Sequence, residues 1–287
     1  MPATPRRKKP DIAIIGAGTL ASALARALQQ CGHGVSEIVS RDNADSLRCA
    51  SALARRVKAS AATLKQAKFS AEILWICVPD DAIAEVAQKL ASRNWSAKVI
   101  VHSSGALGSD ILNVLKQRGA EIGSAHPLMT FVNASMPDFT NVPFALEGDP
   151  KAITLLGAIA RTLGGKPFRI RADFKPAYHA FGFFSSPAIA SLIAAAQAVG
   201  KLAGLDAKRA RELMEPIVRQ TIDNCFATSP QEAFSGPLRR GDVETIRKHM
   251  RALEAEPELL EFYRALARVA LRHLPVAKAN EVREVLG

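Results

Sequence analysis

The sequence predicts an α/β domain built on a doubly wound parallel sheet, followed by an all-α domain. Three observations carry that prediction. Short apolar runs alternate with helical patterns from residue 11 to residue 171, as strands returned by crossover helices do. A glycine turn, Gly16-Ala17-Gly18, joins the first run to the first helical pattern. From Pro176 onward the β-type runs stop and helical patterns remain. A chain of 287 residues supports two such domains, and 48% hydrophobic with 23% charged residues excludes a disordered or low-complexity chain.

In chain order, the predicted strands are Ile12–Ile15, Val35–Val39, a weak one near Val57, Ile73–Val78, Val99–Val101, Ile122–Ser124, Phe144–Leu146 and Phe168–Ile170. Helical periodicity fills gaps between them at Leu20–Gln30, Ala82–Ala91, Ser109–Arg118 and Ala152–Leu163. The second domain reads as helices over about 187–203, 207–227 with a kink at Pro216, 242–254 and 257–273. Asp206 and Asp242 suit N-caps, and Pro257 suits a first helical turn. These limits divide the chain into a basic arm over 1–10, an α/β domain over 11–172 and a helical domain over 173–287. Pro176–Gly200 holds no charged residue, but its alanine and serine content makes it too weakly apolar for a convincing membrane span. It is expected to be a buried helix at a subunit interface.

The net charge of +11 raises the question of a polyanionic partner. Arg6, Arg7, Lys8 and Lys9 place +4 in the arm, residues 11–205 hold +6 and residues 206–287 only +1. No segment interleaves basic and aromatic residues as a single-strand-binding surface would. The arm has no apolar stretch behind it, so it reads as disordered rather than as a signal peptide. Cys31, Cys49, Cys77 and Cys225 form no CxxC pair and sit near no clustered histidines, which predicts reduced, mostly buried thiols and no metal site.

Gly16-Ala17-Gly18-Thr19-Leu20-Ala21 follows the first strand and opens the first helix. Gly16 permits the tight turn, Gly18 lets the backbone approach a pyrophosphate, and Ala21 allows close helix–strand packing. The helix N-terminus adds amide donors and the positive end of its dipole. Gly16, Ala17, Gly18, Thr19 and Leu20 are therefore expected to bind a dinucleotide. The second strand ends in Ser40-Arg41 where an acidic residue would hold the ribose hydroxyls of NAD. An arginine there pairs with a 2′-phosphate, so NADP is favoured, although Asp42 one residue later would restore the acid after a one-residue shift. Val78 and Pro79, at the end of the fourth strand, should line the same crevice.

The next two strands end in His102-Ser103-Ser104-Gly105 and Ser124-Ala125-His126-Pro127-Leu128. If they are adjacent and parallel, Ser104 and His126 emerge side by side at the cofactor crevice. A histidine titrating near neutrality suits a proton carried as hydride moves, and a serine could orient the reacting oxygen or nitrogen. Tyr178 and His179 are read as packing at the domain hinge, Arg240 as paired with a nearby acid, and His249 as a surface or interhelical residue.

Those segments, together with Tyr178-His179 and Ser235-Gly236-Pro237-Leu238-Arg239-Arg240-Gly241-Asp242 with His249, resemble a branch of NADP oxidoreductases that joins a Rossmann-like domain to a helical domain of unknown function. The resemblance covers nearly the whole chain from Asp11 and extends to pyrroline-5-carboxylate reductase, prephenate dehydrogenase and the β-hydroxyacid dehydrogenases. It implies a Rossmann fold with a second domain like the C-terminal domain of 6-phosphogluconate dehydrogenase. Ser104 and His126 look like the catalytic serine and histidine of prephenate dehydrogenases. The β-hydroxyacid dehydrogenases instead place a catalytic lysine and asparagine on the first helix of the second domain. The segment Tyr178–Pro187 here has neither, and Pro187 stands where relatives in the branch often have asparagine.

The expected protein is thus a cytoplasmic, homodimeric NADP-dependent oxidoreductase. It would transfer hydride to or from a small hydroxy, keto or imine substrate, without nucleic-acid or membrane partners. The alternative is a non-catalytic NADP-binding regulator or sensor.

Overall fold

The computed structural model describes residues 9–131 and 138–287; most of the predicted arm, residues 1–8, lies outside them. Lys9, at the arm's end, donates to the carbonyl of Cys31. The chain divides into two compact units, Met1–Ser186 and Pro187–Gly287, a division later than the boundary expected at residues 172 and 173.

The first unit is a mostly parallel sheet with helices on its faces. Its elements are β1 (Ile12–Ile15), α1 (Thr19–Gln30), β2 (Val35–Ser40), α2 (Ala44–Val57), β3 (Ser60–Thr63), β4 (Ile73–Ile76), α3 (Asp80–Leu90) and β5 (Val99–His102). They continue with α4 (Asn113–Lys116), β6 (Glu121–Pro127), β7 (Pro143–Gly148), α5 (Pro150–Thr162), β8 (Lys166–Arg169) and α6 (Lys175–Ser185). The strand order is β3-β2-β1-β4-β5-β6-β7-β8, with the switch point between β1 and β4. Side-chain alternation separates two cores. Ile12, Ile14 and Trp75 pack with α1 and α5 on one face, while Ala13, Ile15 and Ile76 pack with α3 and α4 on the other.

Three local departures have physical reasons. Val57 is not in a strand: it buries against the core as the last residue of α2, which Lys58 ends in a left-handed conformation, and the strand begins at Ser60. The pattern over Ser109–Arg118 starts as a 3₁₀ turn over Ser109–Leu112 before α4. The Glu147 carboxylate holds that turn, accepting from both the amide and the hydroxyl of Ser109 at 2.7 Å. β7 runs antiparallel to β6. An apolar strand buried on both faces reads the same in either direction, so the sequence pattern does not reveal the reversal.

The second unit contains α7 (Pro187–Leu202), α8 (Ala207–Ala227), α9 (Pro230–Ala233), α10 (Gly236–Arg240), α11 (Val243–Ala252), α12 (Pro257–His273) and α13 (Ala279–Leu286). Asp206 caps α8, accepting from the Arg209 amide at 2.8 Å. Asp242 sits at the cap position of α11 without a side-chain cap bond, because its carboxylate pairs with Arg240 at 2.7 Å. Ile246, Ala267, Val282 and Leu286 form a small core, and His249 meets Tyr263 at 3.2 Å between α11 and α12.

Within the single chain the charge-free segment is not buried. Ala172–Leu202 is apolar and long enough to cross a membrane by length and composition, and its apolar window is 0% buried inside the chain. Phe181, Phe183 and Phe184 of α6 are exposed, Phe184 to 72%, as are Ile189 and Leu192 of α7.

Candidate active site

The turn after β1 is shaped by its own backbone. Gly16 has φ of +119°, and a Cβ there would overlap the carbonyl oxygen of Cys77. Only glycine satisfies both constraints. A Cβ at Gly18 would meet nothing within 4 Å, so the space before α1 is open. No side-chain hydrogen bond from Gly18 caps that helix, and its first turn carries no acidic residue. Ala21 is completely buried, as close helix–strand packing requires.

The turn opens on a cleft of about 700 Å³. Of the predicted cofactor residues, Gly16, Ala17, Gly18, Ser40, Arg41, Val78 and Pro79 line it, whereas Thr19 and Leu20 do not. The Ser40 hydroxyl donates to the Arg41 carbonyl at 3.0 Å. Asp42 is absent from the cleft wall; its carboxylate lies 3.3 Å from the Lys65 ammonium on the exposed side. An open turn, a helix N-terminus without a side-chain cap and a guanidinium at the β2 end suit a dinucleotide carrying a 2′-phosphate. Asp45, which the sequence reading passed over, also borders the cleft, and its carboxylate is 2.7 Å from Arg48.

β5 and β6 are adjacent and parallel, with His102 opposite Ser124, and they bring Ser104 and His126 into one cluster. The Ser104 hydroxyl donates to Asp80 Oδ2 at 2.7 Å. It also accepts from the amides of Ala106 at 3.2 Å and Leu107 at 2.9 Å. Its single proton is therefore committed to Asp80 and its lone pairs to the turn that carries Gly105. Nothing larger than glycine fits at that turn: a Cβ on Gly105 would stand 2.9 Å from His126 Nε2 and 2.7 Å from His179 Cδ2.

His126 Nδ1 lies 3.0 Å from the Tyr178 hydroxyl, and the rings of Tyr178 and His179 stand edge-on to it at 5.5 and 6.0 Å. Burial, then the charges of Lys175 and His179, bring the His126 imidazole down to about 4, with Asp80 opposing weakly. This corrects the expectation of a histidine titrating near neutrality. The cause is burial, which a sequence pattern does not carry. Burial likewise lifts the Tyr178 phenol to about 12. Tyr178 and His179 thus belong to the cluster around His126.

His102 is completely buried and serves the loop. Its Nδ1 accepts from the Ser104 amide at 3.1 Å, which leaves Nε2–H to donate to the Gly108 carbonyl at 3.1 Å. Lys175 was overlooked. It is the first residue of α6, fully buried, with its ammonium on the Ser104 carbonyl at 2.9 Å and the Ser124 hydroxyl at 2.6 Å. The helix bearing Tyr178 and His179 therefore does contain a lysine. The available signal was a single cation placed immediately before a long charge-free run. Among the described residues no group of three or more His, Cys, Asp or Glu side chains could hold a metal ion. The four cysteines are free, but against the expectation of mostly buried thiols Cys49 is exposed and Cys31, Cys77 and Cys225 are only partly buried.

Fold and cleft together define a dinucleotide-binding α/β unit followed by a helical one. Residues 3–127 match the model of the Rossmann-like domain, and residues 142–270 match that of a domain of unknown function, DUF2520. The chain is 27% identical to "putative NADP oxidoreductase BF3122" of Bacteroides fragilis, with a TM-score of 0.76 over 91% of this chain and 98% of that one. It superposes on an imine reductase of a Pseudomonas species with a TM-score of 0.66 at 21% identity, covering 97% and 100% of the two chains. A reductive aminase of Aspergillus terreus, solved with NADPH and ethyl-5-oxohexanoate, gives 0.67 at 16% identity over 96% and 99%. At those lower identities the likeness is one of fold. No curated protein matches the chain.

Proposed function

We propose that this chain is an NADP-dependent oxidoreductase that transfers a hydride to or from a small hydroxy, keto or imine substrate. The observation that carries the reading is the pairing of two features in one unit. A helix N-terminus without a side-chain cap opens on a cleft walled by Arg41, and His126, near the end of β6, pairs with Tyr178 of α6. The name of the Bacteroides relative, 27% identical over most of both chains, supports the oxidoreductase class, and the imine reductase and reductive aminase share its fold.

In this reading the pyrophosphate lies over Gly16–Gly18 at the N-terminus of α1, and Arg41 and Ser40 face the 2′-phosphate. The bound nicotinamide supplies or accepts the hydride. His126 is the group that meets the reacting oxygen or nitrogen. As a neutral imidazole it can accept a proton from an alcohol or donate a hydrogen bond to a carbonyl, while Tyr178 fixes its ring. Ser104, bonded to Asp80, acts by holding the Gly105 turn against His126 rather than by offering a free hydroxyl. The exposed phenylalanines of α6 suit burial against a second copy of the chain.

The test is His126→Ala, assayed for NADPH affinity and for turnover against a panel of imines, keto acids and hydroxy acids. NADPH binding should persist while turnover falls by about a hundredfold or more. An unchanged rate would remove His126 from the mechanism. Tight NADPH binding by the wild-type protein without turnover on any member of the panel would favour the sensor reading.

A further inference from the structure

We propose that Lys175 is a positioning residue for His126: its buried ammonium ties the turn after β5 to β6 and so fixes where the imidazole points. The inference rests on the reading of His126 as the proton-handling group, and deepens it.

A completely buried lysine is an expensive choice where an apolar side chain could fill the space. Its partners explain the choice. One hydrogen bond goes to the carbonyl of Ser104, immediately before the Gly105 turn that abuts His126 Nε2. The other goes to the Ser124 hydroxyl, two residues before His126 on the same strand and hence on the same face. The ammonium therefore touches both backbone segments that define where His126 points. Three and four residues further along α6 come Tyr178 and His179, so the helical face that carries Lys175 also carries the two rings that stand against the imidazole.

Both hydrogen-bond acceptors are uncharged, so the ammonium is not neutralised at contact. Its charge bears on His126 and on His102, and disfavours protonation of each. The charged groups facing His126 are Lys175 and His179 from α6, which oppose protonation, and Asp80 from α3, which favours it. Asp80 and Glu147 act on Lys175 itself in the direction of the charged form, against burial, which brings the ammonium down to about 8. The ammonium is therefore charged at neutrality.

The experiment follows the imidazole resonances by NMR in the cofactor-free protein, alongside NADPH affinity and turnover. In Lys175→Met the titration of His126 should move up by about one unit or more, because a like charge has been removed. Turnover should fall by about tenfold or more with NADPH affinity nearly unchanged. Lys175→Arg keeps a cation that does not deprotonate. It should hold the His126 titration low and keep turnover closer to the wild-type rate than Lys175→Met does. An unmoved His126 titration in Lys175→Met overturns the proposal. If Lys175→Met does not fold, Lys175→Arg decides alone, and a His126 titration that rises in that variant although the cation is kept overturns the proposal as well. Failure of the functional reading looks different: full turnover in His126→Ala would refute the role of His126 while leaving the titration shift in place.

Discussion

Acid should destabilise the first unit through His102, by an amount the structure sets. The buried imidazole titrates at about 4, against an ordinary value of 6.5, chiefly because burial penalises the charged form. Its hydrogen bonds give a second reason: Nδ1 already accepts from the Ser104 amide, and a proton there would face another donor. The unfolded chain therefore takes up the proton first, so stability is complete above 6.5 and is lost as pH falls toward 4. A gap of that size is worth about 3 kcal/mol in full, of which about 2 kcal/mol is already lost between pH 7 and pH 5. Urea unfolding at both pH values measures it in the wild type and in His102→Asn, whose side-chain oxygen can still accept from the Ser104 amide. The variant should be less stable at pH 7 but lose about 2 kcal/mol less on acidification. His126, which titrates over the same range, contributes equally to both proteins and cancels from the comparison. Equal losses in the two proteins would show that His102 is not held neutral by the fold.

Two further outcomes test the cofactor cleft and the exposed helices. Arg41→Asp should weaken NADPH binding by about tenfold to a hundredfold and spare NADH, since a charge-assisted phosphate contact is replaced by repulsion; titration calorimetry with both nucleotides reads the change. The wild-type chain should sediment as a dimer, and Phe184→Glu should shift it to monomer without altering the circular dichroism of its helices; a wild-type monomer would refute the second-copy reading of that surface.

Much of the sheet was legible because its strands are apolar runs bounded by turn residues. Ile12–Ile15 is exact, and Val35–Val39 falls short by only Ser40. The Gly16 turn was legible for a stronger reason, since a positive φ and a carbonyl against the missing Cβ leave one residue type. The strand misplaced near Val57 shows the limit. A valine at the buried end of an amphipathic helix looks like the start of a strand until the left-handed Lys58 is seen. The cluster was legible in part: Ser104 and His126 were expected in it, whereas Tyr178 and His179, which read as hinge packing, stand against the imidazole. Strand order predicted that Ser104 and His126 would emerge together, yet the commitment of the Ser104 hydroxyl depends on Asp80, 24 residues away, and the low titration of His126 on its burial and on the charge of Lys175. Lys175 was illegible because a lone lysine at a segment boundary ordinarily means solvent, and only the packing of α6 buries it.

Helix α3 links the cleft to the cluster. Pro79, before its first residue, and Asp81, Ala82 and Glu85 within it line the cofactor cleft, while Asp80 turns its carboxylate to the Ser104 hydroxyl. A ligand that presses on the start of this helix acts on the same backbone that holds Asp80. The Asp80–Ser104 bond in turn fixes the Ser104 turn, whose carbonyl receives Lys175 and whose Gly105 abuts His126. The cofactor cleft and His126 are thus connected by one short chain of contacts within a single unit: Pro79, Asp80, Ser104, Gly105. Every link is a backbone step, a hydrogen bond of 2.7 Å or a contact too close for a side chain, so a shift of α3 has little slack in which to dissipate before reaching the imidazole.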